Sequence, residues 1–244
     1  MKTSINIIFP VLNEEKRLRR GIVKTVQFFE RTNIAAYMLT IIDNGSVDKT
    51  EEIAEELCNQ YEHVYYIKIE EKGVGAAFRE GVRVNTCDIV GYMDIDLSTD
   101  IRHLKQVMQI FDNYPLVQII NASRLNRKSV TVGRKWYRNL TSYGLTFLLK
   151  LFLQMKATDS ICGFKFFRKD AAEQLIQEAG NRENGWFYII ELLLRAERKP
   201  MVVRELPVRW IDDYETTVNV IKLIRNYLCQ IGRLFIDIHI KKLW

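Results

Sequence analysis

The chain has 244 residues, with 48% hydrophobic and 27% charged residues and a formal net charge of +6. This composition is ordinary for a soluble globular protein, and the few prolines and glycines leave no linker that would divide the chain. Four scattered cysteines without Cys-x-x-Cys spacing predict neither a zinc site nor a disulfide framework. We expect no signal peptide and no membrane-spanning helix, and therefore a cytoplasmic protein.

Apolar, β-rich runs alternate with amphipathic helical patterns. The predicted strands are 5–9, 38–42, 64–69, 89–93, 116–122, 163–168 and 201–209. The predicted helices are 14–30, 48–60, 74–86, 101–113, 136–155, 170–179, 185–198 and one from about 218. This alternation predicts an α/β fold with a doubly wound, mainly parallel sheet. Asp48 and Glu51 form the pattern of a capping box at the second helix.

Two aspartates, Asp94 and Asp96, follow the buried run 89–93. In an extended chain this spacing points both carboxylates the same way. Mg²⁺ and Mn²⁺ bind to one or two carboxylates together with substrate phosphates, so the pair indicates a metal site and a nucleoside-diphosphate substrate. An isolated Asp-x-Asp is also common in turns.

Polar residues follow three of the predicted strands. They are found at 10–14, at 43–46 and at Asp94 and Asp96. Ligands bind beyond the carboxyl ends of the strands in open sheets of this kind, so the three loops predict one shared site. The glycine-rich segment 73–81 follows the third strand and has Phe78 at the third glycine position, so it does not predict a dinucleotide-binding loop.

Between Asp112 and Asp159 the chain has no acidic residue. The basic residues of this segment are Arg124, Arg127, Lys128, Arg134, Lys135, Arg138, Lys150 and Lys156. Such a one-sign segment attracts phosphate groups of lipids, nucleotides or nucleic acids alike. No nucleic-acid-binding motif or aromatic platform accompanies it, so we do not expect nucleic-acid binding.

Five motifs, taken together and in order, resemble those of the family 2 glycosyltransferases. They are Phe9-Pro-Val-Leu-Asn-Glu-Glu15, Ile42-Asp-Asn-Gly-Ser-Val-Asp-Lys-Thr50, residues 73–81, Asp94-Ile-Asp-Leu-Ser98 and Asp159-Ser-Ile-Cys-Gly-Phe-Lys-Phe-Phe-Arg168. The likeness spans about residues 5 to 217 and is greatest to the polyprenyl-phosphate branch, which includes dolichyl-phosphate mannose and glucose synthases. It implies a GT-A fold, a UDP- or GDP-sugar donor, Mg²⁺ or Mn²⁺, and inverting transfer to a lipid phosphate.

The resemblance also implies roles on the donor side. The positions that match those holding the donor's base and ribose are Pro10, Leu12, Glu14 and Asp43. Asp94 and Asp96 match the metal and diphosphate pair, and Ser98 matches a nearby position that contacts the donor.

The spacing of Arg124, Arg138 and Ser142 matches that of a family trio that grips the phosphates of donor and acceptor. Asp159 matches a proposed general base, but a phosphate monoester is already largely anionic at neutral pH, so Asp159 orienting an arginine is an equal alternative. Glu191 matches a position near the sugar, and a salt bridge is its alternative role, because a lone buried carboxylate needs a partner.

The chain departs from the family pattern at four positions. Asn44 replaces the second aspartate of Asp-Asp-Gly-Ser, and Ile189 replaces an aspartate two residues before Glu191. Asp213 and Thr217 replace basic residues expected after the last strand. The loss of basic residues at Asp213 and Thr217 weakens the expected grip on the diphosphate, and together with Ile189 it leaves the donor's identity open.

Two apolar helical segments suggest contact with a membrane. Residues 143–155 are apolar nearly all round, and the segment 218–244 places Ile221, Ile224, Leu228, Ile231 and Phe235 on one face. We expect a domain at 1–217 and an amphipathic segment at 218–244 that attaches peripherally to the cytoplasmic face of a membrane. Packing on the core or on a second subunit is the alternative.

These observations predict a metal-dependent, inverting glycosyltransferase that moves one glucose- or mannose-like sugar to a polyprenyl phosphate. One alternative is a glycosyltransferase that acts on a glycan or a protein. The other is a non-catalytic nucleotide-sugar-binding subunit, suggested by the departures at Ile189, Asp213 and Thr217.

Overall fold

A computed structural model describes residues 3–34, 36–134, 136–212, 220–242 and 244. The strands are β1 (Ile5–Val11), β2 (Tyr37–Asp43), β3 (Val64–Lys68), β4 (Ile89–Met93), β5 (Val117–Ser123), β6 (Val130–Val132), β7 (Phe164–Arg168), β8 (Val202–Pro207) and β9 (Arg209–Ile211). The α-helices are α1 (Leu18–Arg31), α2 (Thr50–Gln60), α3 (Val74–Arg83), α4 (His103–Asn113), α5 (Trp136–Leu153), α6 (Lys169–Ala179), α7 (Phe187–Glu197) and α8 (Val220–Phe235). A π-helical turn, Ile236–Ile240, continues α8.

Seven strands form one sheet in the order β3-β2-β1-β4-β7-β5-β8. The pairings are parallel except at β7, which runs antiparallel to β4 and β5. All five residues of β4 are buried, as expected for a central strand covered on both faces. The predicted doubly wound, mainly parallel sheet is therefore confirmed.

Helices cover both faces of the sheet. On one face α1, α2 and α4 contribute buried side chains such as Ile22, Leu57 and Phe111 to a shared core. On the other face the core includes Phe78 of α3 and Leu175 of α6, together with residues of α5, α7 and α8. The carboxyl ends of β1, β2 and β4 are left open between these layers, where the loops after them meet.

The predicted strand 201–209 is divided in the structure. β8 ends at Pro207, opposite Ser123 at the end of β5, and β9 pairs instead with β6 in a separate two-stranded sheet. Because β5 offers no partner beyond Ser123, the backbone of 209–211 satisfies its hydrogen bonds with 130–132. The short strand β6 was not predicted.

Only the Asp48 half of the predicted capping box is present at the second helix. Asp48 Oδ1 accepts hydrogen bonds from the amide and the hydroxyl of Thr50, at 3.0 and 2.6 Å. Glu51 does not complete the box, because its carboxylate pairs with Lys68 Nζ at 2.5 Å. The helix starts at Thr50, so Asp48 lies two residues before its first turn.

The C-terminal helix packs against the domain. Tyr227, Ile231 and Leu234 of α8 are buried in the second core, whereas Ile224 and Leu228 are exposed. The core-facing side therefore differs from the predicted apolar face. Asp213, Thr217, the domain boundary at 217/218 and the side chain of Ile221 lie outside the described residues. Among the described helices none is long and apolar enough to cross a membrane.

Candidate functional site

The loops after β1 and β2 are joined by hydrogen bonds. The amide of Asn13 donates to Ser46 Oγ at 2.8 Å, and the amide of Val47 donates to Asn13 Oδ1 at 2.9 Å. Asn13 adopts a left-handed conformation with a φ of 57°, which asparagine tolerates better than most residues. The amide of Glu14 donates to Thr50 Oγ1 at 2.8 Å. These bonds fix two of the three predicted site loops relative to each other.

Four residues predicted to hold the donor's base and ribose lie at this edge of the sheet. Pro10 pairs with Ile42 in the sheet, Leu12 is 42% exposed, and Glu14 forms an ion pair with Arg17 at 3.6 Å. Asp43 is fully buried.

The carboxylate of Asp43 is held from both sides. Its Oδ1 accepts bonds from the amide and hydroxyl of Ser46 at 2.8 and 2.7 Å, and its Oδ2 accepts a bond from Tyr66 at 2.9 Å. Burial and the bond to Asp43 raise the pKa of the Tyr66 hydroxyl, which therefore stays protonated and donates. Asp43 thus shapes the loop that follows β2.

Asn44 and the glycine-rich segment 73–81 both form hydrogen bonds with other loops of the chain. The side-chain amide of Asn44 donates to the carbonyl of Glu71 at 2.8 Å, a bond that the carboxylate of an aspartate is unable to donate. The first amides of α3, from Gly75 and Ala76, donate to the carbonyls of Gly185 and Asn184 at 3.2 and 3.1 Å. The start of α3 therefore packs against the loop that precedes α7.

The pair Asp94 and Asp96 follows β4, at the same edge. The amide of Ser98 donates to Asp96 Oδ1 at 2.8 Å, and Leu97 between them has a φ of 57°. The carboxylate oxygens of Asp94 accept no hydrogen bond from the described part of the chain. Burial and the neighbouring Asp96 carboxylate raise the pKa of Asp94 to about 8. Both effects disfavour the charged form of the Asp94 side chain.

This pair fits a divalent cation. Within the described residues, no group of three or more histidine, cysteine, aspartate or glutamate side chains is placed to hold a metal. Two carboxylates with free oxygens suit Mg²⁺ or Mn²⁺, which take their remaining ligands from water and substrate phosphates. Ser98 is buried beside the pair, and its hydroxyl has no partner within the described structure.

Gly163, which precedes β7, lies against Asp94. A Cβ at this glycine would come within 2.0 Å of Asp94 Oδ2, so a larger residue here would displace the Asp94 carboxylate. Because β7 is antiparallel, its start lies at the edge where β4 ends. The amide of Asp94 donates to the carbonyl of Gly163 at 3.3 Å, and this bond joins the end of β4 to the turn before β7.

Asp159 and Arg124 form a buried, bidentate ion pair. The Nε of Arg124 donates to Asp159 Oδ2 at 2.7 Å, and its Nη2 donates to Oδ1 at 2.9 Å. The amides of Arg124 and Ile161 donate to the same carboxylate at 2.9 and 3.1 Å. Although burial alone would raise it, the pKa of Asp159 lies well below its ordinary range because of Arg124. The arrangement favours the alternative in which Asp159 orients an arginine.

The other two members of the predicted phosphate-binding trio have protein partners. Arg138 forms an ion pair with the buried carboxylate of Asp212. The hydroxyl of Ser142 accepts a hydrogen bond from Arg134 Nη2 at 2.6 Å. Arg134 and Asp212 were not among the predicted site residues, and the acid-free segment around Arg134 was the only sequence signal for either.

Lys165 is a further residue that the sequence did not single out. It is fully buried in β7, and its Nζ donates to the carbonyl of Cys162 at 2.5 Å. Burial lowers its pKa to about 8. Its bond braces the turn at 162–163 that contacts Asp94. The only signal was its place in the motif 159–168.

Glu191 lies in α7 and is bound by arginines. Its Oε1 accepts a bond from Arg195 Nη2 at 2.8 Å, and its Oε2 pairs with Arg233 of α8. This is the salt-bridge alternative considered for Glu191. Ile189 is buried in the core of the same face. The departures at Asp213 and Thr217 lie outside the described residues.

Comparison with known sequences identifies the family of the chain. The sequence model of the family described as glycosyl transferase family 2 matches residues 6–176. The chain is 27% identical to glycosyltransferase AglD of Haloferax volcanii over 94% of this chain and 36% of that protein. It is 26% identical to the dolichyl-phosphate beta-glucosyltransferase ALG5D of Trichomonas vaginalis, over 84% of this chain and 65% of that protein. The chain thus spans about a third of one relative and somewhat under two thirds of the other.

Solved structures share the fold. Glucosyl-3-phosphoglycerate synthase from Mycobacterium tuberculosis, in complex with UDP, matches with a TM-score of 0.67 and 15% identity over 95% of this chain and 81% of that one. The same enzyme in complex with Mn²⁺, UDP-glucose and phosphoglyceric acid matches with a TM-score of 0.66 and 14% identity, over 95% and 80% of the two chains. At this identity the likeness shows the fold alone, and it confirms the predicted GT-A architecture.

Proposed function

Because the chain belongs to glycosyl transferase family 2, we propose that it transfers one hexose from a UDP- or GDP-sugar to a polyprenyl phosphate, with inversion and with a divalent metal. The observation that carries this proposal is the juxtaposition of two electrostatic elements. The carboxylates of Asp94 and Asp96 follow β4. The guanidinium of Arg124 lies close enough to Asp94 to oppose part of the rise that burial causes in the pKa of this carboxyl group. A site for a metal-bound diphosphate thus adjoins a fixed cation.

Glucose is the sugar we propose first. The relatives from Trichomonas vaginalis and human are named dolichyl-phosphate beta-glucosyltransferases, and the human protein is 26% identical over 85% of this chain and 67% of its own length. The names support a polyprenyl-phosphate acceptor and favour a glucosyl over a mannosyl donor. We propose a UDP-sugar before a GDP-sugar, and the experiment below includes both.

The residues of the site have complementary roles in this reaction. Asp94 and Asp96 would hold Mg²⁺ or Mn²⁺, which as a Lewis acid supplies stabilisation of the charge on the departing nucleoside diphosphate. Arg124 would hold a phosphate in line with the anomeric carbon through the N–H groups that its ion pair with Asp159 leaves free. Asp159 orients Arg124. No general base is required, since the second pKa of a phosphate monoester is about 6.

An exposed apolar stripe on α5 supports attachment to a membrane. Its side chains are each more than half exposed and recur on one face of the helix at Trp136, Leu140, Tyr143, Phe147 and Leu151. The opposite face of α5 is buried through Leu149 and Leu153. Helix α8 contacts α5 and also exposes two apolar side chains, Ile224 and Leu228. We propose that this apolar surface lies on the cytoplasmic face of a membrane, where a polyprenyl phosphate is presented.

The test is release of nucleoside diphosphate from a panel of UDP- and GDP-sugars with Mn²⁺, with and without a short-chain polyprenyl phosphate. We expect release that requires the lipid phosphate, is greatest with UDP-glucose, and falls at least roughly 100-fold in Asp96→Asn, because a metal ligand stabilises charge mainly in the transition state. Glu52→Gln, which removes an exposed carboxylate of α2, is the matched control and should leave the rate unchanged. Binding of UDP and Mn²⁺ without release for any donor would instead indicate a non-catalytic binding subunit.

A further inference from the structure

We propose that Arg134 binds the phosphate group of the acceptor, together with Arg124. This inference rests on the proposed function, since it names the residue that recognises the acceptor within the same site. It assigns to Arg134 a role that the residue pattern predicted for Arg138.

The guanidinium of Arg134 is only partly satisfied by the protein. Its Nη2 donates to the carbonyl of Arg138 at 3.1 Å and to Ser142 Oγ at 2.6 Å. Its Nε and Nη1 are inaccessible to solvent and have no acceptor among the residues that the structure describes. Buried N–H groups without an acceptor are rare in native proteins, and each one requires an explanation. The two unmade bonds of Arg134 point to an acceptor group that comes from a ligand.

The charge around Arg134 indicates that this ligand is an anion. Within the described chain no carboxylate forms an ion pair with Arg134, because Asp212 is paired with Arg138 and Asp159 with Arg124. Burial and the nearby charge of Arg124 both lower the pKa of Arg134, to about 10. Arg134 therefore stays charged at neutral pH in a site that already holds one guanidinium. A phosphate dianion relieves the repulsion between these two cations.

Both arginines lie against the ring of Trp210 in β9. The guanidinium carbons of Arg124 and Arg134 are 5.5 and 5.3 Å from the ring centroid, within the range of a cation–π contact. Both guanidinium groups therefore contact the same indole ring. The other two members of the predicted trio contact protein groups. Ser142 accepts a hydrogen bond from Arg134, and Arg138 forms an ion pair with Asp212.

β9 connects this pair of arginines to the metal-binding loop. The backbone of Trp210 forms a bridge with Thr99, and the amide of Ile211 donates to the carbonyl of Ser98 at 2.8 Å. Thr99 is three residues from Asp96. The phosphate that Arg134 would hold therefore adjoins the site proposed for the donor's diphosphate, as transfer between the two requires.

The start of α5 favours the acceptor's phosphate over that of the donor. Trp136, the first residue of α5 and 75% exposed, follows Arg134 by two positions. The apolar stripe that continues through Leu140 and Tyr143 begins there. A polyprenyl phosphate has a phosphate next to a long apolar chain, and this matches a buried guanidinium followed by an exposed apolar helix face.

The experiment compares Arg134→Gln and Arg134→Lys with Arg127→Gln, which removes an exposed arginine of the same basic segment. We expect Arg134→Gln to raise the KM for a short-chain polyprenyl phosphate roughly 10- to 100-fold, the usual effect of losing charge-assisted hydrogen bonds. The KM for UDP-glucose should stay within about twofold. Arg134→Lys should recover part of the loss, because it keeps the charge but not the fork. Arg127→Gln should change neither constant.

Calorimetric titrations with geranyl phosphate and with UDP, each in the presence of Mn²⁺, separate this inference from the proposed function. If the wild-type protein transfers no sugar, the proposed function fails, yet selective loss of geranyl phosphate binding in Arg134→Gln still supports the role of Arg134. An unchanged affinity for geranyl phosphate, or an equal loss of UDP affinity, would overturn it. Thermal unfolding checks that each variant is folded, and if Arg134→Gln is not, Arg134→Lys carries the same comparisons.

Discussion

At the scale of single residues, Asp159 shows how a buried carboxylate acts through a neighbour. Among the described residues, the donors to its carboxylate oxygens are Arg124 and the amide of Ile161. A carboxylate with its pKa held far below the ordinary value is a poor proton acceptor at neutral pH. Its contribution is to fix the direction of Arg124, and a substitution should reveal this in stability as well as in rate.

We expect Asp159→Asn to lower the free energy of unfolding by about 3–5 kcal/mol at pH 7, because it leaves Arg124 as an uncompensated buried charge. The pKa of Asp159 is depressed in the folded state, so the pair stabilises the protein fully above the unfolded pKa of about 3.9, and this stability is lost as the pH falls below it. Urea unfolding between pH 2.5 and 8 measures both effects.

The matched control is Glu51→Gln. It breaks the ion pair with Lys68, in which both side chains are more than 40% exposed. This change should cost at most about 1 kcal/mol. A free energy of unfolding for Asp159→Asn equal to that of the wild type at pH 7 would contradict the assignment, since it would mean that Arg124 does not depend on this carboxylate.

The sequence predicted this level of the structure unevenly. Asp94 and Asp96 are recognisable because their spacing and the apolar run before them are local features. The partners of Arg138 and Glu191 are not, because Asp212 and Arg233 lie 74 and 42 residues away. The preference for a small residue at Gly163 comes from contact with Asp94, which follows another strand. Which arginine faces a ligand depends on such distant partners.

At the scale of elements, helices and long strands were predicted to within a few residues because each has its own hydrophobic period. The sheet pairing of β6 with β9 was not, since strands of three residues have no period and form only where tertiary contacts supply a partner. The course of the last predicted strand is decided in the same way, by the end of β5 at Ser123.

Helix α8 is attached to α7 through charges as well as apolar contacts. Arg233 pairs with Glu191, which is 1% exposed, and also bonds to Gln230 at 2.7 Å. We expect Arg233→Gln to lower the free energy of unfolding by about 1–3 kcal/mol, because a buried carboxylate loses one partner. In Arg233→Gln, the rate of amide hydrogen exchange should rise relative to the wild type more in α8 than in α6.

Arg225→Gln is the control for this prediction, because Arg225 is exposed on the same helix. It should change the stability by less than about 0.5 kcal/mol and leave the exchange pattern intact. Unaltered protection of α8 in Arg233→Gln would show that apolar packing alone attaches the helix.

At the scale of the whole molecule, the apolar surface of α5 and α8 predicts binding to lipid vesicles. We expect the protein to sediment with vesicles of phosphatidylcholine and phosphatidylglycerol, and less with phosphatidylcholine alone, because of its net charge of +6. Replacing Leu140 and Phe147 by serine should lower the partition coefficient at least about tenfold, since each inserted side chain contributes about 1.5–3 kcal/mol.

Leu116→Ser is the matched control, because Leu116 is 80% exposed but lies between α4 and β5. It should bind vesicles like the wild type. If the serine variant of α5 instead dissociates a dimer and leaves vesicle binding unchanged, the surface is an interface between two copies of the chain. Size-exclusion chromatography of both variants distinguishes these outcomes.

The central position of β7 also determines the order in which the molecule is able to assemble during synthesis. β4 and β5 are complete by residue 123, but they are joined only through β7, which begins at Phe164. A nascent chain that ends before this strand leaves one edge of β4 and both edges of β5 unpaired, a known hazard for aggregation. The edge of the sheet that carries the candidate site is completed equally late, because the turn that touches Asp94 enters the sheet with the same segment.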